Sequence, residues 1–271
     1  MESDITNNVT VGYSNTIAEH RQWLQRFNKQ LLKKWEDLLK TTPEAAICEA
    51  ETRKLLSDYN IDVKPYEDLS QGGPDFLCTE NSKTFYVEVT CITIDIATKK
   101  TNLPPSYPKK PSTQYYGLLT KHILGELCNK TPQCSGLEQP CIIVITTLHP
   151  RAGARCFRKL ACEDIMTGTP QIAMDIDVQK GHAVGEPYQT TDLRDSAFIR
   201  FTKKANGTTE YARNPISAVL LCAFGQNPPM AYGLLHPNPN YPFDRDMLPR
   251  IEFCKLTPGC EKTNQLAVEW I

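Results

Sequence analysis

Apolar residues recur at helical spacing in two segments near the N-terminus. Over residues 15–40 they follow one another at steps of three and four positions, which is typical of a helix with one buried face. A second helix is predicted over residues 43–58, because Pro43 suits a first helical turn and apolar side chains again follow the helical period. Residues 1–14 show no such period and are interpreted as a flexible tail.

The pattern changes from helical spacing to strand alternation further along the chain. A turn-rich stretch closed by Gly72, Gly73 and Pro74 precedes two extended runs, at residues 75–79 and 84–91. The four polar residues between the runs suit a tight turn. The segment is therefore predicted to be a β-hairpin.

The register of this hairpin follows from its turn. If residues 80–83 form the turn, Thr79 faces Thr84, and Asp75 then falls opposite Glu88. Because side chains alternate between the two faces of a strand, the two carboxylates share one face. The other face is predicted to join the core, and its residues are Phe76, Cys78, Phe85, Val87, Val89 and Cys91.

Downstream of the hairpin the pattern mixes both kinds of element. Residues 98–113, rich in proline and lysine, are predicted to be an irregular basic loop. Beyond them we predict a helix at 113–129, a strand at 141–147, a helix at 154–167 and extended segments near 197–203, 216–224, 230–235 and 265–270. This order predicts one α/β domain over residues 15–271, in which helices flank a central mixed β-sheet, with an N-terminal helix and a β-rich C-terminal elaboration.

Composition and charge narrow the function classes. The chain has 271 residues and a net charge of −1, so a polyanion would have to be held by a local basic patch or a bound metal. No apolar run approaches the length of a membrane span and no signal-peptide core is evident, so we expect a cytoplasmic protein with no membrane partner. The 11 cysteines are odd in number and include no CxxC spacing, which argues against a disulfide framework or a zinc finger.

The opposed carboxylates of Asp75 and Glu88 are the main candidate for chemistry. Directly opposed residues of a hairpin have Cβ atoms about 5 Å apart, and like charges at that separation destabilise the pair. A divalent cation, a lysine or arginine, or a shared proton would each relieve the repulsion. Hard cations such as Mg²⁺ take oxygen ligands of this kind.

The residues around this pair resemble a known nuclease signature. Gly72-Gly73-Pro74-Asp75-Phe76 followed by Phe85-Tyr86-Val87-Glu88-Val89-Thr90 is similar to the motif of the PD-(D/E)xK, or restriction-endonuclease-like, superfamily. The resemblance implies a restriction-endonuclease-like core at about residues 43–165. It implies that Asp75, Glu88 and the Val89 carbonyl hold Mg²⁺ or Mn²⁺, helped by Glu49 on the preceding helix, with Glu51 as the alternative.

One position departs from the superfamily pattern. Thr90 stands where these nucleases usually have a lysine that polarises the attacking water or stabilises the charged transition state. Thr90 can orient a water but carries no charge. We therefore expect a lysine from elsewhere to act, Lys121 on the predicted helix in preference to Lys83 in the hairpin turn.

The expected activity is that of a metal-dependent nuclease, a hydrolase acting on DNA in preference to RNA, in genome defence or repair. Backbone phosphates would be bound by the basic loop through Lys99, Lys100, Lys109 and Lys110. Cutting both strands of a duplex would suit a homodimer, although no coiled-coil heptads support one. Two alternatives remain open: a catalytically silent nuclease-like fold that binds nucleic acid or protein, and an unrelated α/β enzyme that uses paired carboxylates on a sugar.

Overall fold

A computed structural model of the chain describes residues 10–66, 72–106, 118–201, 209–258 and 266–271. These residues form twelve strands. They are β1 (Asp62–Pro65), β2 (Phe76–Glu80), β3 (Lys83–Cys91), β4 (Cys141–Thr147), β5 (Thr169–Asp177), β6 (His182–Asp192), β7 (Ile199–Phe201), β8 (Thr209–Tyr211), β9 (Ala218–Ala223), β10 (Met230–Leu235), β11 (Glu252–Pro258) and β12 (Leu266–Trp270).

Within the described ranges, eight strands form a mixed sheet in the order β1-β2-β3-β4-β9-β10-β11-β12. The first three strands form an antiparallel meander, and β3, β4 and β9 run parallel. The far end combines antiparallel and parallel pairs through β10, β11 and β12. The chain therefore has a mixed α/β fold with a large central sheet, and that prediction is confirmed.

Helices cover both faces of the sheet. They are α1 (Ser14–Leu24), α2 (Lys29–Thr41), α3 (Pro43–Ser57), α4 (Ile94–Thr101), α5 (Thr120–Cys134), α6 (Pro150–Cys156) and α7 (Lys159–Thr167). The first three contribute to one hydrophobic core and α5–α7 to a second, while α4 contributes Ile94 to the first and Ala97 to the second. Strand β4 lies between the two cores and is buried along its whole length, which explains the apolar run Cys141–Ile145 in its sequence. No described helix is both long and apolar enough to cross a membrane.

The predicted hairpin register is confirmed. Thr79 pairs with Thr84 and Phe76 with Val87. The turn residues Asn81 and Ser82 have φ angles of 47° and 67°, the left-handed pair that a two-residue hairpin turn requires. The predicted apolar face packs against the first core through its buried and partly buried residues, Phe76, Cys78, Phe85, Val87, Val89 and Cys91.

Three predicted helices differ from the observed ones. Residues 15–40 form two helices, because the Asn28 side chain accepts a hydrogen bond from the Gln30 N–H at 2.7 Å and caps a new helix. Residues 154–167 likewise divide between α6 and α7. The helix predicted at 113–129 begins, among the described residues, at Thr120 and continues to Cys134, with Pro132 in its last turn.

The basic stretch predicted as an irregular loop is partly helical. Lys99 and Lys100 lie in the last turn of α4, which ends at Asn102 in the left-handed conformation. Lys109 and Lys110 lie outside the described residues. The predicted loop is therefore wrong for residues 98–101.

The C-terminal half is rich in strands, as predicted, but the sequence patterns missed some of them. The extended segments near 197–203, 216–224, 230–235 and 265–270 contain β7, β9, β10 and β12. Strands β8 and β11 and the β5–β6 hairpin were not predicted. The β5–β6 hairpin pairs as its own two-stranded sheet and is largely exposed, so it lacks the buried face from which alternation predicts a strand.

Candidate functional site

A pocket lies beside the end of β3, where β2 no longer covers it. The pairing of β2 with β3 starts at Phe76 and Val87, so the last residues of β3 have no β2 partner. Leu24 and Trp35, from α1 and α2, form part of an apolar wall. The charged and amide side chains that line the pocket are Lys34, Glu49, Asp75, Glu88, Lys130 and Gln133.

Asp75 is held at the entrance to β2 by the backbone around it. Gly72 and Gly73 precede it with φ angles of 75° and 140°, a backbone region that residues other than glycine rarely adopt. The Asp75 Oδ2 atom accepts a hydrogen bond from the Val89 N–H at 2.7 Å. This bond fixes the Asp75 carboxylate next to the residue that follows Glu88.

Glu88 is almost completely buried, with 2% of its surface exposed. Its Oε1 atom accepts a hydrogen bond from the Lys130 Nζ at 2.6 Å. A buried carboxylate of this kind requires a compensating charge, because its transfer out of water is costly. In this structure Lys130, from the helix α5, supplies that charge.

Lys130 keeps its proton at neutral pH. Burial by itself would lower the pKa of its ammonium, but the carboxylates of Glu88 and then Asp75 outweigh burial and raise the pKa above its usual value. The group is therefore a fixed cation. It can stabilise developing negative charge but cannot accept a proton from water.

The sequence patterns missed Lys130, although they carried a signal for it. On α5, Ile123, Leu127 and Cys134 are buried, and Lys130 follows Leu127 by three positions on the same face. A lysine inside an apolar helical stripe indicates a buried counter-charge. The predicted helix ends at residue 129, one position short of Lys130.

Glu49 approaches the pocket from α3, on the side opposite α5. Its Oε1 atom lies 3.7 Å from the Nε2 atom of the buried His20. Glu51, the alternative, does not line the pocket, and its Oε1 atom accepts a hydrogen bond from the Thr16 hydroxyl at 2.6 Å. The structure therefore brings Glu49 into the pocket together with Asp75, Glu88 and Val89.

Thr90, Lys121 and Lys83 do not line the pocket that contains Asp75 and Glu88. The Thr90 hydroxyl donates to Glu126 Oε2 at 3.1 Å and so joins β3 to α5. Lys121 is exposed and lines a different groove. Lys83 pairs with Asp244. Lys130 therefore contacts Glu88 of the carboxylate pair, and Lys34 lines the same pocket.

Glu44, at the start of α3, titrates in the neutral range. Its Oε2 atom accepts a hydrogen bond from the Ile94 N–H at 2.7 Å, yet burial raises the pKa of its carboxyl from 4.5 to about 7. Between these two pH values the folded chain binds a proton that the unfolded chain has lost. The stability from this group is therefore present below pH 4.5 and is lost as pH rises to about 7.

We expect Glu44→Gln to remove the loss of stability between pH 4.5 and about 7, since the glutamine side chain still accepts the hydrogen bond from the Ile94 N–H but does not ionise. The free energy of unfolding, measured by urea titration across this pH window, should fall less with rising pH in the variant than in the wild type. Glu138→Gln, which alters an exposed glutamate, serves as the control. Parallel pH profiles for wild type and Glu44→Gln would contradict the assignment.

The pocket offers few ligands for a metal ion. Among the described residues, no group of three or more histidine, cysteine, aspartate or glutamate side chains is arranged to hold one. Asp75 and Glu88 line the same pocket as Val89. Two carboxylates are a donor set that Mg²⁺ accepts, because it keeps several waters and takes only one or two protein carboxylates besides substrate phosphate.

Comparison with known proteins finds no relative of this chain. No family model matches it, and neither the curated proteins nor the solved structures contain a match. Any function of this chain must therefore be inferred from the pocket itself.

Proposed function

We propose that this protein is a metal-dependent nuclease of the PD-(D/E)xK type that hydrolyses phosphodiester bonds, with DNA as its substrate. One observation carries the proposal: Asp75, Glu88 and Lys130 converge at the uncovered end of β3, opposite Glu49. The order of elements lends further support. A helix, a hairpin, a second helix and a strand parallel to β3 follow in the order expected of a restriction-endonuclease-like core.

Asp75 and Glu88, with the backbone carbonyl of Val89, are the residues that would hold Mg²⁺ or Mn²⁺. Their oxygen atoms are hard donors of the kind these ions prefer. Once bound, the ion supplies a more acidic water and neutralises charge on the phosphate. Glu49 faces the same space and would orient that water.

Lys130 takes the role that the superfamily gives to the lysine missing at position 90. Its ammonium lies 2.6 Å from Glu88 Oε1 and is protonated, so it would stabilise negative charge that grows on the phosphate oxygens. The buried ion pair fixes the position of the ammonium before the substrate arrives. The apolar wall from Leu24 and Trp35 limits the access of bulk water and strengthens these charge interactions.

The test is cleavage of single-stranded DNA, duplex DNA and RNA in Mg²⁺, in Mn²⁺ and in EDTA. We expect DNA cleavage that requires the metal and falls by roughly a hundredfold or more in Asp75→Asn and in Glu88→Gln. Glu80→Gln changes a carboxylate of the same hairpin outside the pocket and should leave cleavage unchanged. Equal cleavage by wild type and both pocket variants would refute the site.

The silent alternative also has an observation in its favour. Lys130 already neutralises Glu88. Among the described residues, Glu49 and the two carboxylates do not form a group of three side chains arranged to hold a metal ion. A silent protein would bind Mg²⁺ or DNA and lose that binding in Asp75→Asn, but would cut none of the three substrates. The same set of proteins therefore separates the two functions.

A further inference from the structure

A second groove lies along α5, next to the pocket. It is lined by Lys100 from the last turn of α4 and by Lys121, His122, Glu126 and Asn129 from α5. The two lysines come from different helices and meet in one groove. This arrangement concentrates positive charge on a protein whose net charge is only −1.

The two lysines of the groove are available to an external anion. In the part of the chain that the structure describes, neither ammonium has a carboxylate within ion-pair distance, whereas many other lysines do. Those paired lysines are Lys40, Lys64, Lys83, Lys130, Lys159, Lys180 and Lys255. The groove's own carboxylate, Glu126, accepts the Thr90 hydroxyl at 3.1 Å and lies 3.9 Å from His122 Nε2.

The groove and the pocket are neighbours through Thr90. Thr90 lies two residues beyond Glu88, on the same face of β3, and its hydroxyl contacts Glu126 in the wall of the groove. Along α5, Lys121 and Lys130 are nine positions apart, about 13.5 Å of helix rise. That length corresponds to roughly four nucleotide steps of a duplex at 3.4 Å each.

We propose that Lys100 and Lys121 bind a backbone phosphate of a nucleic acid, roughly four nucleotide steps from the phosphate that occupies the Asp75–Glu88 pocket. This inference rests on the proposed nuclease function and specifies how its substrate is held. It also separates two adjacent lysines: Lys99 is exposed on the same helix turn as Lys100 but does not line the groove. Lys99 therefore makes no such contact.

The experiment measures equilibrium binding of a short labelled DNA duplex and of a single strand, in Ca²⁺, over a series of salt concentrations. The proteins are wild type, Lys100→Ala, Lys121→Ala, the double variant and, as matched control, Lys99→Ala. Each groove variant should lower the affinity several-fold. The double variant should also reduce the slope of log affinity against log salt by about 0.9 for the duplex, the contribution of one neutralised phosphate, and each single variant should lose part of that.

Lys99→Ala should leave both the affinity and the slope at the wild-type values. A slope unchanged in Lys100→Ala and Lys121→Ala, an equal loss in Lys99→Ala, or a wild-type protein that binds neither DNA would each overturn the inference. Failure of the nuclease function would appear differently, as absent cleavage in Mg²⁺. Because this assay measures binding without turnover, the two failures are distinguishable.

Discussion

Replacing Lys130 with methionine is expected to reduce DNA cleavage by roughly a hundredfold or more, the usual consequence of losing one preorganised group that stabilises transition-state charge. Methionine keeps much of the side chain's length and its packing on α5 but removes the charge that meets Glu88 at 2.6 Å. The variant should also be less stable by about 3 kcal/mol, because the buried Glu88 carboxylate loses its main counter-charge. Cleavage rates and urea unfolding measure the two effects.

A double variant separates the two consequences of losing Lys130. Lys130→Met combined with Glu88→Gln removes both charges, so stability should recover while cleavage stays lost. Lys99→Met is the control, since it removes an exposed lysine that lies outside the pocket. Cleavage at the wild-type rate by Lys130→Met would show that this lysine has no part in the reaction. Lys121 would then be the remaining candidate for that role.

Acid is expected to destabilise the protein strongly through His20. This histidine is fully buried between Trp23 and Trp35, with ring centroids 5.0 and 4.7 Å away. Burial, and next the positive charge of Arg53, lower its pKa from 6.5 to about 3. Between these values the unfolded chain binds a proton that the folded chain does not. The free energy of unfolding therefore falls as pH falls through this window.

The effect of His20 on stability is large enough to test directly. At ~1.4 kcal/mol per pKa unit, the loss approaches several kcal/mol near the acid end of the window. His20→Phe keeps a ring between the two tryptophans and should flatten the acid limb of the stability profile measured by urea unfolding. His182→Phe, an exposed histidine in β6, should not.

Two outcomes would reverse this interpretation of His20. An acid limb as steep in His20→Phe as in the wild type would show that other groups cause the acid sensitivity. The same limb flattened by His182→Phe would show the same. Glu44 works in the opposite direction, since its stabilisation is lost as pH rises, so the combined contribution of these two groups is largest in the mildly acid range.

The hairpin that carries Asp75 and Glu88 was predictable because its information is local. The turn residues Asn81 and Ser82 adopt the left-handed conformation of a two-residue turn, and the turn sets the register of every pair after it. Side-chain alternation then assigns each residue to a face. Strand β4 was predictable for a similar reason, since an apolar run bounded by polar residues suits a strand buried on both sides.

The helices were less predictable where side chains interrupt the pattern. The periodic stretch at residues 15–40 contains the Asn28 cap, whose hydrogen bond to Gln30 starts a new helix without breaking the apolar spacing. Pro132 lies inside the last turn of α5, where the packing of Leu127 and Cys134 holds the helix together. The pattern of apolar positions therefore predicts neither the break made by a capping side chain nor a helix that continues through a proline.

The sequence by itself determined the hairpin and its register, because these depend on a turn and an alternation within the consecutive residues 76–91. Tertiary structure alone decided which lysine meets Glu88, that Glu49 faces the pocket instead of Glu51, and that Lys100 and Lys121 share a groove. Each of these contacts joins elements far apart in the chain, and the packing of α3, α4 and α5 on the sheet sets their orientation. The spacing of residues along the sequence does not predict those orientations.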